Sequence, residues 1–335
     1  MSSPNTAIPN AGAIREARAR IAPYVRRTPV LADPELDRLL GLRVSFKCEN
    51  LQLGGAFKLR GAMNAVLSLV AAGDRRALLT QSSGNHGAAL ARACRLLGRP
   101  VTVVVPRSAP PPKLELLREQ GARLVFCEPE QASRDAAVAA LRAEADYAYV
   151  HPFDDPRVIA GQGTAALEWL EEEPALETIL VPVSGGGLAS GIAIAAHAHD
   201  PRLAVIGVEP AGAADALASL RAGRIVRGQP VATLCDALRA ELGELTFAIL
   251  SRHLEEILVV EDEDALAAMA FAWQRLKLVL EPSGAVALAA LLAHRERLRG
   301  RRVGVLLSGG NVDPGLFAQA LARPLPPPGA PSSGG

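Results

Sequence analysis

One lysine in the chain sits where a solvated lysine has no need to be. Lys58 follows Phe57 inside the glycine-rich turn of "GGAFKLRGAMNAV" (54–66) and opens an apolar, helix-forming run. A free lysine amine titrates near pH ~10.4 and is a poor base at neutral pH, whereas burial beside an apolar ring lowers that value and makes the amine reactive. Arg60 is read here as a further nearby cation acting in the same direction. The bland alternative is a surface lysine at a helix start.

Two glycine-bearing stretches suggest what such a lysine would serve. In "VSGGGLASG" (183–191) three consecutive glycines follow an apolar strand, and a helix begins at about Leu188. Successive bare N–H groups plus a helix N-terminus make a cradle for a phosphate dianion. No Gly-Lys-Ser/Thr follows, and the run does not fit the dinucleotide fingerprint G-x-G-x-x-G. A weak match to that fingerprint, "GQGTAA" (161–166), follows a poor strand and reads as helix packing. "SSGNHGAAL" (82–90) sets Ser82, Ser83, Gly84, Asn85 and His86 at another helix start, where serine and asparagine are also natural caps. A histidine there has its cation disfavoured by the helix dipole. His197 and His199 stand two apart on a helical stretch and point to different sides, which argues against a metal pair. One phosphate cradle, one reactive lysine and no nucleotide motif fit pyridoxal 5'-phosphate, whose aldehyde condenses with an amine and whose ring withdraws electrons.

The elements that must position these residues alternate. Runs 43–49, 76–80, 100–106, 122–127, 178–183, 203–209, 255–260 and 302–308 read as strands, several apolar throughout as strands covered on both faces are. Helical patterns include 85–97, 111–120, 130–145, 187–198, 262–277, 283–294 and 314–322. The alternation predicts an α/β fold of open parallel sheets, with ligands at the carboxyl ends of strands. The strand-to-helix junctions "TQSSGNHGAAL", "PVSGGGLASG" and "SGGNVDPG" are therefore where chemistry is expected.

Bulk properties exclude other classes. The 335 residues carry a formal net charge of +1, so no overall field favours nucleic acid or an anionic membrane. Four cysteines without a C-x-x-C pair fit a reducing, cytoplasmic setting. No signal-peptide pattern opens the chain, and no apolar run reaches the ~18 residues of a membrane span. Residues 1–11 and 324–335 are rich in Pro, Ser and Gly and are expected to be tails.

The ensemble of motifs resembles the fold type II pyridoxal-phosphate enzymes, in the branch of threonine/serine dehydratases and serine racemase. The matching segments run in family order: "RRTPVL", "KCENLQLGGAFKLRGAMNAV", "SSGNHGAALA", "VVVPRSAPPPKLELLREQGA", "VIAGQGTAALE", "VPVSGGGLASGIA", "GVEPAGAADAL", "LGELTF", "KLVLEPSGAVALAALL" and "LLSGGNVD". The resemblance implies a tryptophan synthase β-like fold of two open, parallel, twisted sheets with helices on both faces. It implies a large cofactor-binding domain (1–77 and 148–323), a small substrate-binding domain (78–147) and a homodimer. By position, Lys58 is the Schiff-base lysine and later the base at Cα. Phe57 packs on the pyridine ring, and Asn85 bonds the ring hydroxyl. Gly185, Gly186, Gly187 and Leu188 hold the phosphate through backbone amides, and Ser308 faces the pyridine nitrogen. Ser83 lies on the ring face opposite the lysine, and segment 82–86 holds the substrate carboxylate. Glu209, Ala213 and Asp215 match a divalent-cation site suited to Mg²⁺ (or Ca²⁺).

A neutral Ser308, in place of an acidic partner, leaves the ring nitrogen largely unprotonated and favours prompt loss of a β-hydroxyl. The implied reaction is therefore β-elimination of water from a β-hydroxy amino acid, giving a 2-oxo acid and ammonia. Two departures from the family pattern, Ala56 for serine and Ser184 for the first glycine of the phosphate loop, keep other substrates open, among them hydroxyaspartate and intermediates of hydroxyectoine breakdown. Amino-acid racemisation is the near alternative, since Ser83 opposite Lys58 serves both. A cysteine-synthase-like sulfhydrylase and a nucleotide-binding module without chemistry are the remaining readings. After "SGGNVD" only one helix and the proline-rich tail remain, so the resemblance is to the catabolic type, without a regulatory domain.

Overall fold

The computed structural model describes residues 7–323; the expected tail at 324–335 and the first six residues of the expected tail at 1–11 lie outside that range. The chain begins with helix α1 (Ala11–Ile21), strand β1 (Val30–Ala32), helix α2 (Pro34–Leu40), strand β2 (Arg43–Cys48) and helix α3 (Lys58–Ala71). Next come β3 (Leu78–Gln81), α4 (Asn85–Leu96), β4 (Val101–Pro106), α5 (Pro111–Glu119), β5 (Arg123–Cys127), α6 (Gln131–Glu144) and β6 (Ala148–Tyr149). Then follow α7 (Pro156–Glu172), β7 (Thr178–Pro182), α8 (Gly187–His199), β8 (Ala204–Pro210) and α9 (Asp215–Ala222). The chain continues through α10 (Glu244–His253), β9 (Glu256–Val260), α11 (Asp262–Phe271), α12 (Pro282–Leu298), β10 (Arg302–Leu307) and α13 (Pro314–Leu321).

These strands form two sheets, one of six strands in the order β1-β2-β10-β7-β8-β9 and one of four in the order β5-β4-β3-β6. All pairings are parallel except that of the edge strand β1, which runs antiparallel to β2 with Val30 opposite Lys47. The sheets are thus parallel as expected, with one antiparallel strand that three residues were too few to announce. β6, two residues long, escaped notice for the same reason.

The near-continuous apolar strands are buried on both faces. Along β10, Val303, Val305 and Leu307 enter one core with α11 and α12, while Leu306 enters the other with α7 and α8. A period of two side chains assigns successive residues to opposite faces. The small sheet behaves alike: Val103 and Val105 face the side of α3 and α4, and Val104 faces α6. Helix α3 is held by Leu59, Ala62, Met63, Val66 and Leu69, a three-and-four spacing that puts one apolar face inward.

The "GQG" run lies inside α7, where a Cβ on Gly163 would stand 2.7 Å from the Gly191 carbonyl oxygen of α8. These glycines let helix backbones meet, as the helix-packing reading expects. Among the described residues no helix is long and apolar enough to cross a membrane.

Candidate active site

The order β2-β10-β7-β8 places four loops side by side at one sheet edge, since neighbouring strands stand ~4.8 Å apart. After β2 comes the turn bearing Lys58, after β10 Ser308, after β7 the glycine run and after β8 the loop with Ala213. The turn is stitched to the end of β10. Phe57 N donates to the Ser308 carbonyl at 3.1 Å, Gly310 N to the Gly55 carbonyl at 2.9 Å, and Ala56 bridges Gly309. Ala56 is itself buried in that bridge.

Lys58 is the first residue of α3. Its Nζ donates to the Pro152 carbonyl at 3.2 Å and lies 5.0 Å from the Phe57 ring centroid. Loss of hydration brings the amine down to about 8. Arg60 plays no part in this, which corrects the expectation from sequence. Its guanidinium is fully buried and turned away into carboxylates, with Nε and Nη2 on Glu49 at 2.8 Å and Nη1 and Nη2 on Glu168 at 2.8 and 2.7 Å. Lys47 joins the same cluster through Glu168 Oε2 at 2.8 Å. Two cations and two carboxylates leave the cluster without net charge, and burial accounts for the lowered value of Lys58.

The glycine run makes a tight turn between β7 and α8, the place where the sequence reading expects a phosphate cradle. Gly186 has φ 86°, a left-handed value that favours glycine, and stands before α8 with no side-chain cap. Gly185 and Gly187 are required by close approach: a Cβ on Gly185 would lie 2.4 Å from the Phe153 ring, and one on Gly187 2.9 Å from Phe153 Cα. Leu188 is buried in the core, so only its backbone faces the cradle. Thr246 of α10 donates to the Gly185 carbonyl at 2.8 Å and fixes the loop from behind. Ser184 does not face the cradle. Its hydroxyl donates to the Ala240 carbonyl (3.2 Å) and accepts from the Ala240 amide (3.1 Å), so it ties the loop to the backbone.

The start of α4 differs from a capped helix. Gly84 holds the cap position without a side-chain bond, and Ser82 Oγ accepts from Gly84 N at 3.2 Å. The first-turn amides of α4 therefore stay open, next to the partly buried Ser83. His86 is withdrawn: its side chain is buried, and burial, the Lys58 cation and His151 hold its ring far below the ordinary imidazole value. Only its backbone is offered to a ligand.

Asn85 reaches across to the large sheet. Its Nδ2 donates to Glu281 Oε1 at 2.9 Å, and its Oδ1 accepts from Asn311 Nδ2 at 2.9 Å. Glu281, which the sequence reading did not single out, is the buried partner of this candidate site residue. It is buried before α12, and burial, with Asp236 adding to it, raises its carboxyl to about 8. Ser308 Oγ lies 3.4 Å from the Ser283 carbonyl in the same buried corner.

At the end of β8, Glu209 is fully buried, with Oε1 and Oε2 accepting from Ala216 N (3.0 Å) and Leu217 N (2.8 Å). Burial raises Glu209 to about 8 and the neighbouring Asp215 to about 6. Asp215 Oδ2 is buried without a partner, and Ala213 lies beside it in a tight turn. Hard carboxylate oxygens with one orphaned acceptor fit magnesium or calcium. Among the described residues no cluster of three or more His, Cys, Asp or Glu could hold a metal, so a cation here would need carbonyls and water as further ligands.

Comparison with known proteins agrees with this geometry. Residues 21–309 match the family model described as pyridoxal-phosphate dependent enzyme. Over 315 residues the chain is 41% identical to a serine racemase of Oryza sativa subsp. indica, covering 92% of this chain and 93% of that one. Over 297 residues it is 42% identical to a beta-hydroxyaspartate dehydratase of Paracoccus denitrificans (strain Pd 1222), covering 89% and 94%. The solved T.th. threonine deaminase superposes with a TM-score of 0.85 at 44% identity, covering 91% and 99%. A family match over residues 21–309, on a fold shared almost end to end with these enzymes, makes the chain a member of the fold type II pyridoxal-phosphate family that holds serine racemases, threonine deaminases and hydroxyaspartate dehydratases.

Proposed function

We propose that the protein is a pyridoxal 5'-phosphate-dependent ammonia-lyase acting on a β-hydroxy amino acid, with hydroxyaspartate ahead of serine and threonine. The observation that carries this reading is the desolvated Lys58 amine at the same strand ends as the Gly185–Gly187 cradle. When bound, the cofactor supplies an electron-withdrawing ring that acidifies the substrate's Cα–H and an anionic anchor. Lys58 would hold the aldehyde and would serve as the base that takes the Cα proton; a value near 8 suits a base at neutral pH. The amides of Gly185, Gly186, Gly187 and Leu188 would hold the phosphate, Phe57 would pack on the ring, and Asn85 would bond the ring hydroxyl. The open first turn of α4 takes the substrate carboxylate, with Ser83 facing the reacting carbon opposite Lys58. Ser308, neutral, leaves the ring nitrogen without a fixed proton, which favours departure of the β-hydroxyl. The net change removes ammonia and leaves a 2-oxo acid: one water leaves across Cα–Cβ and one is taken up on hydrolysis. Glu209, Asp215 and the Ala213 carbonyl would hold a divalent cation behind the loop. The reading includes a homodimer.

The Paracoccus relative supports the choice of hydroxyaspartate. The rice relative favours a second reading, serine racemisation. Incubating the enzyme with L-threo-3-hydroxyaspartate, L-serine and L-threonine, and measuring ammonia and 2-oxo acid against D-isomer, separates the two. Turnover to D-serine in excess of ammonia release, or no turnover of any of the three, would sink the lyase reading.

A further inference from the structure

The loop after β6, "HPFDD" (151–155), meets the candidate site at three points. The Pro152 carbonyl accepts from Lys58 Nζ at 3.2 Å. The Phe153 ring fills the space beneath Gly185 and Gly187. Asp154 Oδ1 accepts the Leu245 and Thr246 amides, each at 3.1 Å, and so caps α10, the helix whose Thr246 hydroxyl grips the Gly185 carbonyl.

What shapes the loop is His151. Its Nδ1 accepts from the Phe153 amide at 3.3 Å and from the Asp154 amide at 2.9 Å. An asparagine or aspartate oxygen makes the same bonds, two and three residues on, in an Asx turn. Here an imidazole nitrogen does so. It can accept only while unprotonated, which puts the ring proton on Nε2. The ring also packs edge-on against Phe153 at 4.5 Å and Tyr149 at 6.0 Å.

The charged and titratable groups around the ring come from several elements. Asp154 and Asp155 lie on its own loop, Lys58 on α3, His86 on α4, Asp135 on α6 and Tyr149 on β6. Burial is the largest influence and favours the neutral ring; Lys58 acts with it, and the three carboxylates oppose.

We propose that His151, as a neutral acceptor at Nδ1, is a positioning residue that holds the 151–155 turn in the form that seats Phe153 under the phosphate cradle and presents the Pro152 carbonyl to Lys58. Protonation of the ring removes both bonds and loosens the grip on phosphate. The inference rests on the cofactor reading above. Because the folded ring sits below the ordinary imidazole value, the native turn is fully supported above pH ~6.5 and loses stability as pH falls below it.

The test titrates the full-length protein with pyridoxal 5'-phosphate at pH ~8 and pH ~5.5, either side of the ordinary imidazole value. Wild type, His151→Asn and His151→Phe are compared. Asparagine can make the same two bonds at any pH; phenylalanine keeps the aromatic packing and loses the acceptor. His151→Phe should bind the cofactor about tenfold more weakly at the higher pH, the worth of lost hydrogen bonds. His151→Asn should stay within about threefold of wild type there, and should lose affinity on acidification less steeply than wild type does. Full affinity in the phenylalanine variant would show that packing alone suffices. Equal losses in both variants, or an acid dependence in His151→Asn matching wild type, would equally overturn the inference. Failure of wild type to take up the cofactor would instead refute the cofactor reading itself.

Discussion

Asn85 and Glu281 stand 196 residues apart in the chain and share a hydrogen bond of 2.9 Å, amide nitrogen to carboxyl oxygen. The bond joins the first turn of a helix on the small sheet to the entry of α12 on the large one. Burial keeps the carboxyl protonated at neutral pH, so Glu281 acts as an uncharged acceptor that sets which way the Asn85 amide faces.

That protonation has a measurable consequence. The folded value of about 8 lies above the ordinary 4.5, so the folded protein holds a proton that the unfolded chain has lost between these limits. Stability therefore falls as pH rises from 4.5 to about 8, and the loss is complete above. Glu281→Gln keeps an acceptor and has no charge to bury. Its melting temperature should exceed that of wild type above about pH 8 and converge with it below 4.5. The gain at high pH is on the order of a few kcal/mol. No gap at high pH would mean the carboxyl is ionised in the fold.

Lys58 behaves in the opposite sense. Its amine is lowered from 10.5 to about 8, so the cofactor-free protein gains stability as pH rises between these values. Lys58→Met should abolish turnover and covalent retention of the cofactor. It should also remove this slope and raise the urea midpoint at pH 7 by the equivalent of ~1 kcal/mol. A midpoint lower than that of wild type would place the amine in contact with water.

The pair Glu209 and Asp215 should respond to cations. Magnesium or calcium at about ten times its dissociation constant should add ~1.4 kcal/mol to stability, and Asp215→Asn should erase the response. Protons compete for the same oxygens, so the cation effect should weaken as pH falls from about 8 through about 6. Differential scanning fluorimetry across that range is the check; an unchanged melting temperature with either ion would refute the site.

The cluster of Lys47, Glu49, Arg60 and Glu168 holds the base of α3 and thereby Lys58. Glu168→Ala leaves two buried cations facing one carboxylate and should cost ~3–5 kcal/mol by urea denaturation. A loss below ~1 kcal/mol, the range of an exposed ion pair, would show that water enters the cluster.

Much of this was legible beforehand where the informative residues are neighbours in the chain. Lys58 beside Phe57, three glycines after an apolar run, and Ser83 to Asn85 at a helix start each announce their place in the fold locally, because strand burial and helix N-termini are short-range patterns. The misreadings have a common origin. Arg60 looked like a cation acting on Lys58 two residues away, but side chains two apart on a helix diverge, and this one points at Glu49 and Glu168. Ser184 could not be placed from sequence either, because nothing nearby reveals the Ala240 backbone that engages it.

From the order of its amino acids alone, the chain specified parallel α/β sheets, a lysine opening a helix beside a phenylalanine, and a glycine turn between an apolar strand and a helix. Tertiary structure alone decided that Glu281 would orient Asn85, that His151 would shape the turn under the cradle, and that Lys58 would lose its water without a neighbouring charge to blame. Periodicity and backbone preference act over a few residues and are written in the sequence. Burial, and the partner a buried polar group finds, depend on which distant strands pair, and no local window contains that information.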